Sequence, residues 1–166
     1  MPDLWPAGSV DRRCHDDRML RFDHVGVVVD DLDAAAAFFL DLGFEREGGT
    51  VVEGDVVDMI NGLDGVRAEI LMVRTPDRTG KLELVKYHAP PGIDGAQPWP
   101  PNAPGFRHIC IEVADVDAIV AGLRDKGLDT VGDVCDYGTS FRLCYVRGPE
   151  GLIIELAERL GPSQAG

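Results

Sequence analysis

The chain repeats itself. Residues 23–34 (DHVGVVVDDLDA) and 107–118 (RHICIEVADVDA) align at a constant offset of 84, so that His24 meets His108, Val29 meets Val113, Asp31 meets Asp115, Asp33 meets Asp117 and Gly43 meets Gly127. A duplicated unit of this size cannot bury its apolar face alone and must pack against its copy. Each copy has the same local logic. A β-branched strand carries a histidine, and an aspartate (Asp31 or Asp115) stands where a helix N-cap accepts from free N–H groups. An amphipathic helix follows, with Val116, Ile119, Val120 and Leu123 at i, i+3, i+4 and i+7 in the second copy. Gly43 or Gly127 then supplies the left-handed residue that ends it.

Shorter strands should complete each unit: residues 44–53, 66–74 and 81–87 in the first half, 128–134, 140–147 and 152–157 in the second. Residues 55–64 read as a helical insertion, which explains why the last strands align at an offset of 72. The reading is an α+β fold of two βαβββ modules in tandem, forming a curved mixed sheet with a cleft. The first module covers residues 21–89 and the second 106–157. Between them, residues 90–105 form a proline-rich connector, and residues 1–20 and 158–166 are loosely packed tails.

Composition narrows the partners. With 29 acidic against 16 basic residues the formal charge is −13, so phosphate backbones and anionic membrane surfaces are repelled. No apolar run approaches the ~20 residues of a membrane span. The first twenty residues lack a secretory apolar core. Four cysteines without CxxC spacing suit reduced thiols in the cytoplasm.

The last strand of each half holds a glutamate in the same frame, Leu82-Glu83-Leu84 and Ile154-Glu155-Leu156. An isolated carboxylate between leucines is costly to bury. Strand side chains alternate faces, so His24, Glu83, His108 and Glu155 can point into one concave surface. Two imidazoles and two carboxylates suit a divalent ion, whether Zn, Ni, Co, Mn or Fe, with positions left open for substrate. The residues leave open whether the cleft forms within one chain or between two.

These motifs resemble the vicinal oxygen chelate superfamily, which includes glyoxalase I, methylmalonyl-CoA epimerase, extradiol dioxygenases and antibiotic-resistance proteins. The resemblance rests on residues 23–27 (DHVGV), 107–113 (RHICIEV) and 148–156 (GPEGLIIEL). The last is similar to the family's Asp-Pro-x-Gly-x-x-Ile-Glu-Leu, with Gly148 in place of the usual Asp. The resemblance implies a metal-dependent epimerase, isomerase or lyase that takes a proton α to a carbonyl through an enediolate, with Glu83 or Glu155 as the base. Residues 65–72 (GVRAEILM) are similar to an epimerase segment with one residue inserted, which makes Glu69 a third candidate base. A fourth ligand at Glu83 resembles bacterial glyoxalase I, whereas methylmalonyl-CoA epimerases usually carry Gln there. The glyoxalase Asn-Pro-Glu stretch is not visible. The implied partners are a small carbonyl or thioester substrate and a second copy of the chain in a homodimer. An extradiol-type dioxygenase and a metal-free binding protein of the resistance type are the alternatives.

Secondary candidates have plainer readings. His88 reads as a loop residue, Cys110 as a small cleft liner, and Arg142, Arg147 and Lys86 as solvated strand ends. Trp99 is either a lid or a pin for the connector.

Overall fold

The computed structural model describes residues 21–92 and 98–161. His15 and the tails of residues 1–20 and 162–166 lie outside the described residues, as do residues 93–97 of the connector. The first half runs β1 (Val25–Val28), α1 (Leu32–Asp41), β2 (Glu45–Glu53), α2 (Asp55–Asn61), β3 (Arg67–Arg74) and β4 (Lys81–Ala89). The second runs β5 (His108–Val113), α3 (Val116–Asp125), β6 (Cys135–Tyr137), β7 (Phe141–Arg147), a single 3-10 turn (Pro149–Gly151) and β8 (Ile153–Arg159). Each half folds into a four-stranded mixed sheet, ordered β1-β4-β3-β2 and β5-β8-β7-β6. The first strand of each half lies parallel to the last, and the remaining pairs are antiparallel. The α+β duplication is present in full.

The helix starts follow the expected chemistry. Asp31 accepts from Ala34 N at 2.9 Å and Asp115 from Ala118 N at 2.9 Å. Gly43 (φ 95°) and Gly127 (φ 81°) take the left-handed backbone that closes each helix. One expectation fails. Residues 128–134 are not a regular strand, and the second half's second strand is the short Cys135–Tyr137. The segment runs beside β7 through a single bridge, Thr130 to Val146, while Leu128 and Val134 turn in to pack on the core. Burying those two side chains bends the backbone away from a continuous ladder.

One apolar core joins the halves. Val27, Val29, Leu71, Leu82 and Leu84 of the first sheet and Cys144, Val146, Ile154 and Leu156 of the second pack into one cluster with Phe38 and Phe39 of α1 and Val116, Val120 and Leu123 of α3. Fully buried side chains such as Phe39, Leu84, Ile154 and Leu156 each contribute about 1.5–3 kcal/mol. The halves therefore meet through their helix-covered faces. The opposite face of each sheet is turned away from this core.

Polar contacts tie the same junction. The Glu150 carboxylate accepts from Asp30 N (2.8 and 2.7 Å) and Asp31 N (2.6 Å), so a residue of the second half satisfies the N-terminus of α1 in the first. Glu150 sits at φ 54°, a left-handed position for a non-glycine residue. Lys126, after α3, pairs with Asp41 at the end of α1 at 2.5 Å.

Candidate metal centre

Alternation along the strands decides which side chains share a face. On β4, Leu82 and Leu84 enter the common core, so Glu83 points to the opposite side. In the parallel register Glu83 lies beside Gly26, and His24, two residues earlier, falls on the same face. The His24 Nε2 to Glu83 Oε2 distance is 3.6 Å. The second half repeats this. Glu155 lies beside Cys110 in register, His108 is two residues before Cys110, and His108 Nε2 is 3.1 Å from Glu155 Oε2. Both pairs remain in contact with solvent, with the histidines 38% exposed.

The chemistry of the first pair is constrained by its neighbour. Asp23 Oδ2 lies 2.9 Å from His24 Nδ1. A carboxylate can only accept, so Nδ1 carries the proton, and a neutral ring then presents the Nε2 lone pair toward Glu83. Asp23 is held as a carboxylate. Its hydrogen bond with His24, then its contact with Lys81 at 3.3 Å, and the charges of Lys81 and Arg21, bring its pKa down to about 2. With a neutral ring two acceptors face each other at 3.6 Å, longer than a hydrogen bond. A proton or a cation between them relieves the repulsion.

The spacing fits a metal. Ligands bonded at about 2.0–2.2 Å stand about 3.0–3.4 Å apart along an octahedral or tetrahedral edge. Each pair spans roughly one such edge, and a carboxylate on the far nitrogen of a ligating histidine is the usual means of fixing its tautomer. The quartet does not assemble in one chain, however. Among the described residues no group of three or more His, Cys, Asp and Glu side chains is disposed to hold a metal ion. The expected single surface is instead two half-sites on separate sheets, because the helix faces of both halves are consumed by the common core and the ligand faces point away from it.

Glu69 calls for a second correction. It pairs in register with Lys86, not with Glu83, so it stands on the other face of its sheet, 3.2 Å from His88 Nε2. It does not share a surface with either ligand pair. The inserted residue in segment 65–72 shifts its parity. His88 is thereby this glutamate's partner and not a free loop residue.

The second pair has two close neighbours, Tyr145, which the sequence does not single out, and Cys110, which it reads as a liner. Tyr145 lies opposite Glu155 in register and stacks on His108 with ring centroids 5.1 Å apart. Burial first, then the negative charge of Glu155, raises its pKa, so the phenol keeps its proton. Cys110 is pushed up to about 11 by burial and by the charge and hydrogen bond of Glu155. It is a neutral thiol donor to the glutamate and not a nucleophile. Arg159 binds Glu112 at 3.0 Å and lies over the Phe141 ring at 4.7 Å. No local motif announces Tyr145, because its place comes from the β7–β8 register. The remaining candidates are occupied: Arg142 pairs with Asp117 and Asp136, and Arg147 donates to the carbonyls of Gly151 and Trp99. Trp99 is 57% exposed and pins the connector through its backbone.

Beside Glu83 the first sheet forms a cleft of about 280 Å³. Val52, Val57, Ala68, Ile70 and Val85 make it mostly apolar, and Tyr87 donates to Asn61 Oδ1 at 2.6 Å at its edge. Helix α2 roofs it, so the insertion read from the sequence builds a pocket wall.

A duplicated βαβββ unit carrying a His–Glu pair in each copy defines the class. The chain belongs to the Glyoxalase/Bleomycin resistance protein/Dioxygenase superfamily, which it matches over residues 21–156. Among solved structures it is similar to a glyoxalase family protein from Bacillus cereus, with 40% identity and a TM-score of 0.85 over 89% of this chain and 99% of the other. It is 37% identical over 116 residues to a 2-epi-5-epi-valiolone epimerase from an Actinomyces species, covering 66% of this chain and 61% of that protein. Leishmania major glyoxalase I shares the fold at 22% identity, with a TM-score of 0.58 over 83% of this chain and 86% of the other. Among the described residues no helix is long and apolar enough to cross a membrane.

Proposed function

We propose that the protein is a metal-dependent epimerase or isomerase that removes and returns a proton on the carbon next to a carbonyl. The observation that carries this reading is the repeated apposition of a histidine nitrogen and a glutamate oxygen, at 3.6 and 3.1 Å, at equivalent places in both halves. His24, Glu83, His108 and Glu155 would hold a divalent ion, whose Lewis acidity stabilises negative charge on the carbonyl oxygen once the α-proton leaves. The partial similarity to an epimerase favours proton return to the same carbon over the lyase alternative.

The two half-sites in one chain imply that a complete site pairs the first half of one copy with the second half of another, so the working form is a homodimer. Glu83 and Glu155 are the carboxylates positioned to take and return the proton, since they stand on the ligand face of each sheet. Tyr145, kept protonated beside Glu155, would supply a hydrogen-bond donor to a substrate bound there. The apolar cleft beside Glu83 excludes water from the substrate body. The free thiols Cys110, Cys135 and Cys144 suit the cytoplasm.

Elemental analysis of the purified dimer, with solvent-deuterium exchange into hydroxyketone and acyl-thioester substrates, tests the assignment. One divalent ion per His–Glu quartet and deuterium at the α-carbon are expected. A Glu155→Gln variant should lose exchange and weaken metal binding. Full metal content and unchanged exchange in that variant refute the reading, and oxygen uptake with catechols would replace it with the dioxygenase one.

A further inference from the structure

The ligand face of the first sheet is chemically graded. Across β1, β4 and β3, the row through His24 continues into Lys81 and Arg74, which are partners in register. The next row holds Gly26, Glu83 and Met72. The rows beyond are apolar, ending under α2 with Val85, Ile70 and Ala68. The candidate metal pair therefore lies between an apolar end and a cationic one.

At the cationic end is a cavity of about 370 Å³ between the start of β1 and the β3–β4 turn. Arg21, Arg74, Arg78 and Lys81 line it against Asp23 and Glu47. Four cations against three carboxylates, with Glu45 counted beside Arg74, is a local positive excess in a chain of net charge −13. Its cations are not all consumed internally. Arg78 forms no ion pair among the described residues, and the buried Arg74 Nε has no hydrogen-bond partner there. Arg21 and Lys81 pair with Asp23 at 2.6 and 3.3 Å, and Arg74 pairs with Glu47 at 3.4 Å and Glu45 at 3.9 Å, so Arg78 is the cation left uncommitted among the described residues. Arg78 also occupies a left-handed backbone position, φ 64°, where a glycine would be relaxed. The position aligned with it at the offset of 72 is Glu150, equally left-handed, whose side chain caps α1. A long charged residue kept at such a position has a task, and for Glu150 the task is visible.

We propose that this cavity binds a phosphate monoester carried by the substrate, which makes the substrate a phosphorylated α-hydroxy carbonyl compound or a phosphate-bearing thioester. This deepens the proposed function and rests on it. The cationic lining and the uncommitted Arg78 suit a phosphate anion, whose oxygens guanidinium forks bind better than those of a neutral polyol. Strands are about 4.8 Å apart, so Lys81 lies one strand from His24 and Arg74 two. A substrate of three to five carbons can thus reach from the metal pair to the cationic cavity. No bond is made or broken at the phosphate, which serves only to hold the carbonyl in place.

The test uses the full-length protein as purified, with its metal. Calorimetric titration with inorganic phosphate, dihydroxyacetone phosphate and dihydroxyacetone is compared among wild type, Arg78→Gly, Arg74→Met and Glu83→Gln. Arg78→Gly removes the cation and relaxes the turn, so folding is preserved. Dihydroxyacetone phosphate should bind at least tenfold tighter than either inorganic phosphate or dihydroxyacetone. Arg78→Gly and Arg74→Met should each weaken both phosphate ligands about tenfold or more, with metal content unchanged, and Glu83→Gln should leave inorganic phosphate affinity intact. Absent phosphate binding, equal affinity in Arg78→Gly, or loss of inorganic phosphate in Glu83→Gln overturns the site. Dihydroxyacetone phosphate binding no tighter than inorganic phosphate overturns the substrate assignment. Metal analysis of the same samples judges the metal reading separately, since none of the cavity's cations is a ligand.

Discussion

Gly148 is the one residue where the 148–156 segment departs from the family pattern, and its surroundings explain the departure. A Cβ built there would lie 2.8 Å from Phe38 Cε1 and 3.0 Å from Cζ. Carbon atoms rest at about 3.5–4.0 Å, so an alanine must displace the ring by most of an ångström. Phe38 is only 3% exposed and packs edge-on against Phe39 with centroids 5.3 Å apart, so it has little room to yield. The backbone is not the obstacle, because φ −82° and ψ −174° suit any residue. Overpacking of this kind costs about 1–3 kcal/mol, which for a chain of this size lowers Tm by about 2–4 °C per kcal/mol. The decisive assay is a double-mutant cycle by urea denaturation, with Gly148→Ala placed in wild type and in Phe38→Leu. Without the ring, alanine should become neutral or stabilising by about 0.4–1 kcal/mol, since it restricts the unfolded chain. The coupling should therefore be about 2 kcal/mol, and its sign should favour the pair. An equal loss in both backgrounds would refute the steric account and the close approach of α1 to the second half.

Two further outcomes follow from the same junction and from the second half-site. Glu150→Ala should cost about 2 kcal/mol, from charge-assisted hydrogen bonds at an α1 N-terminus that stays partly solvated, whereas Glu150→Gly should cost about 1 kcal/mol less because it relaxes the left-handed backbone; equal losses in a melting comparison would contradict this. Cys110 should resist iodoacetamide until the pH approaches 11, as followed by peptide mass spectrometry, and Glu155→Gln should lower that midpoint. The sign for stability agrees: the folded thiol is raised above its ordinary 9.0, so its contribution is complete below pH 9 and is lost as the pH rises from 9 toward 11. A reactivity midpoint near 9 in the native protein would remove Glu155 from its side.

Much of the architecture was readable because its causes are local. Asp31 and Asp115 cap the helices they precede, Gly43 and Gly127 end them, and the 55–64 insertion is helical over Asp55–Asn61. The frame of the four site residues is equally legible from alternation, but the pairing of His24 with Glu83 and of His108 with Glu155 comes from the parallel registers of β1 with β4 and of β5 with β8. The face that Glu69 occupies is not legible in the sequence, because similarity to a segment does not preserve strand parity when a residue is inserted. The irregular path of residues 128–134 is not legible either, because β-propensity does not reveal that Leu128 and Val134 are claimed by the core. The cation cavity had no visible pattern: Arg21, Arg74, Arg78 and Lys81 come from two sequence regions that converge only when β1 pairs with β4 and β3 turns back on it.

Taken alone, the order of residues determined the duplication, the strand and helix periods, and which side chains ride on the same face of each sheet. It did not determine how the halves dock. Burial of apolar surface has no direction, and both faces of each sheet carry apolar side chains. Shape and termini decided the matter: the gap at Gly148 admits Phe38, and the Glu150 carboxylate seals the start of α1. Those contacts exist only once the helix faces have met, and they turn one intended quartet into two outward-facing pairs.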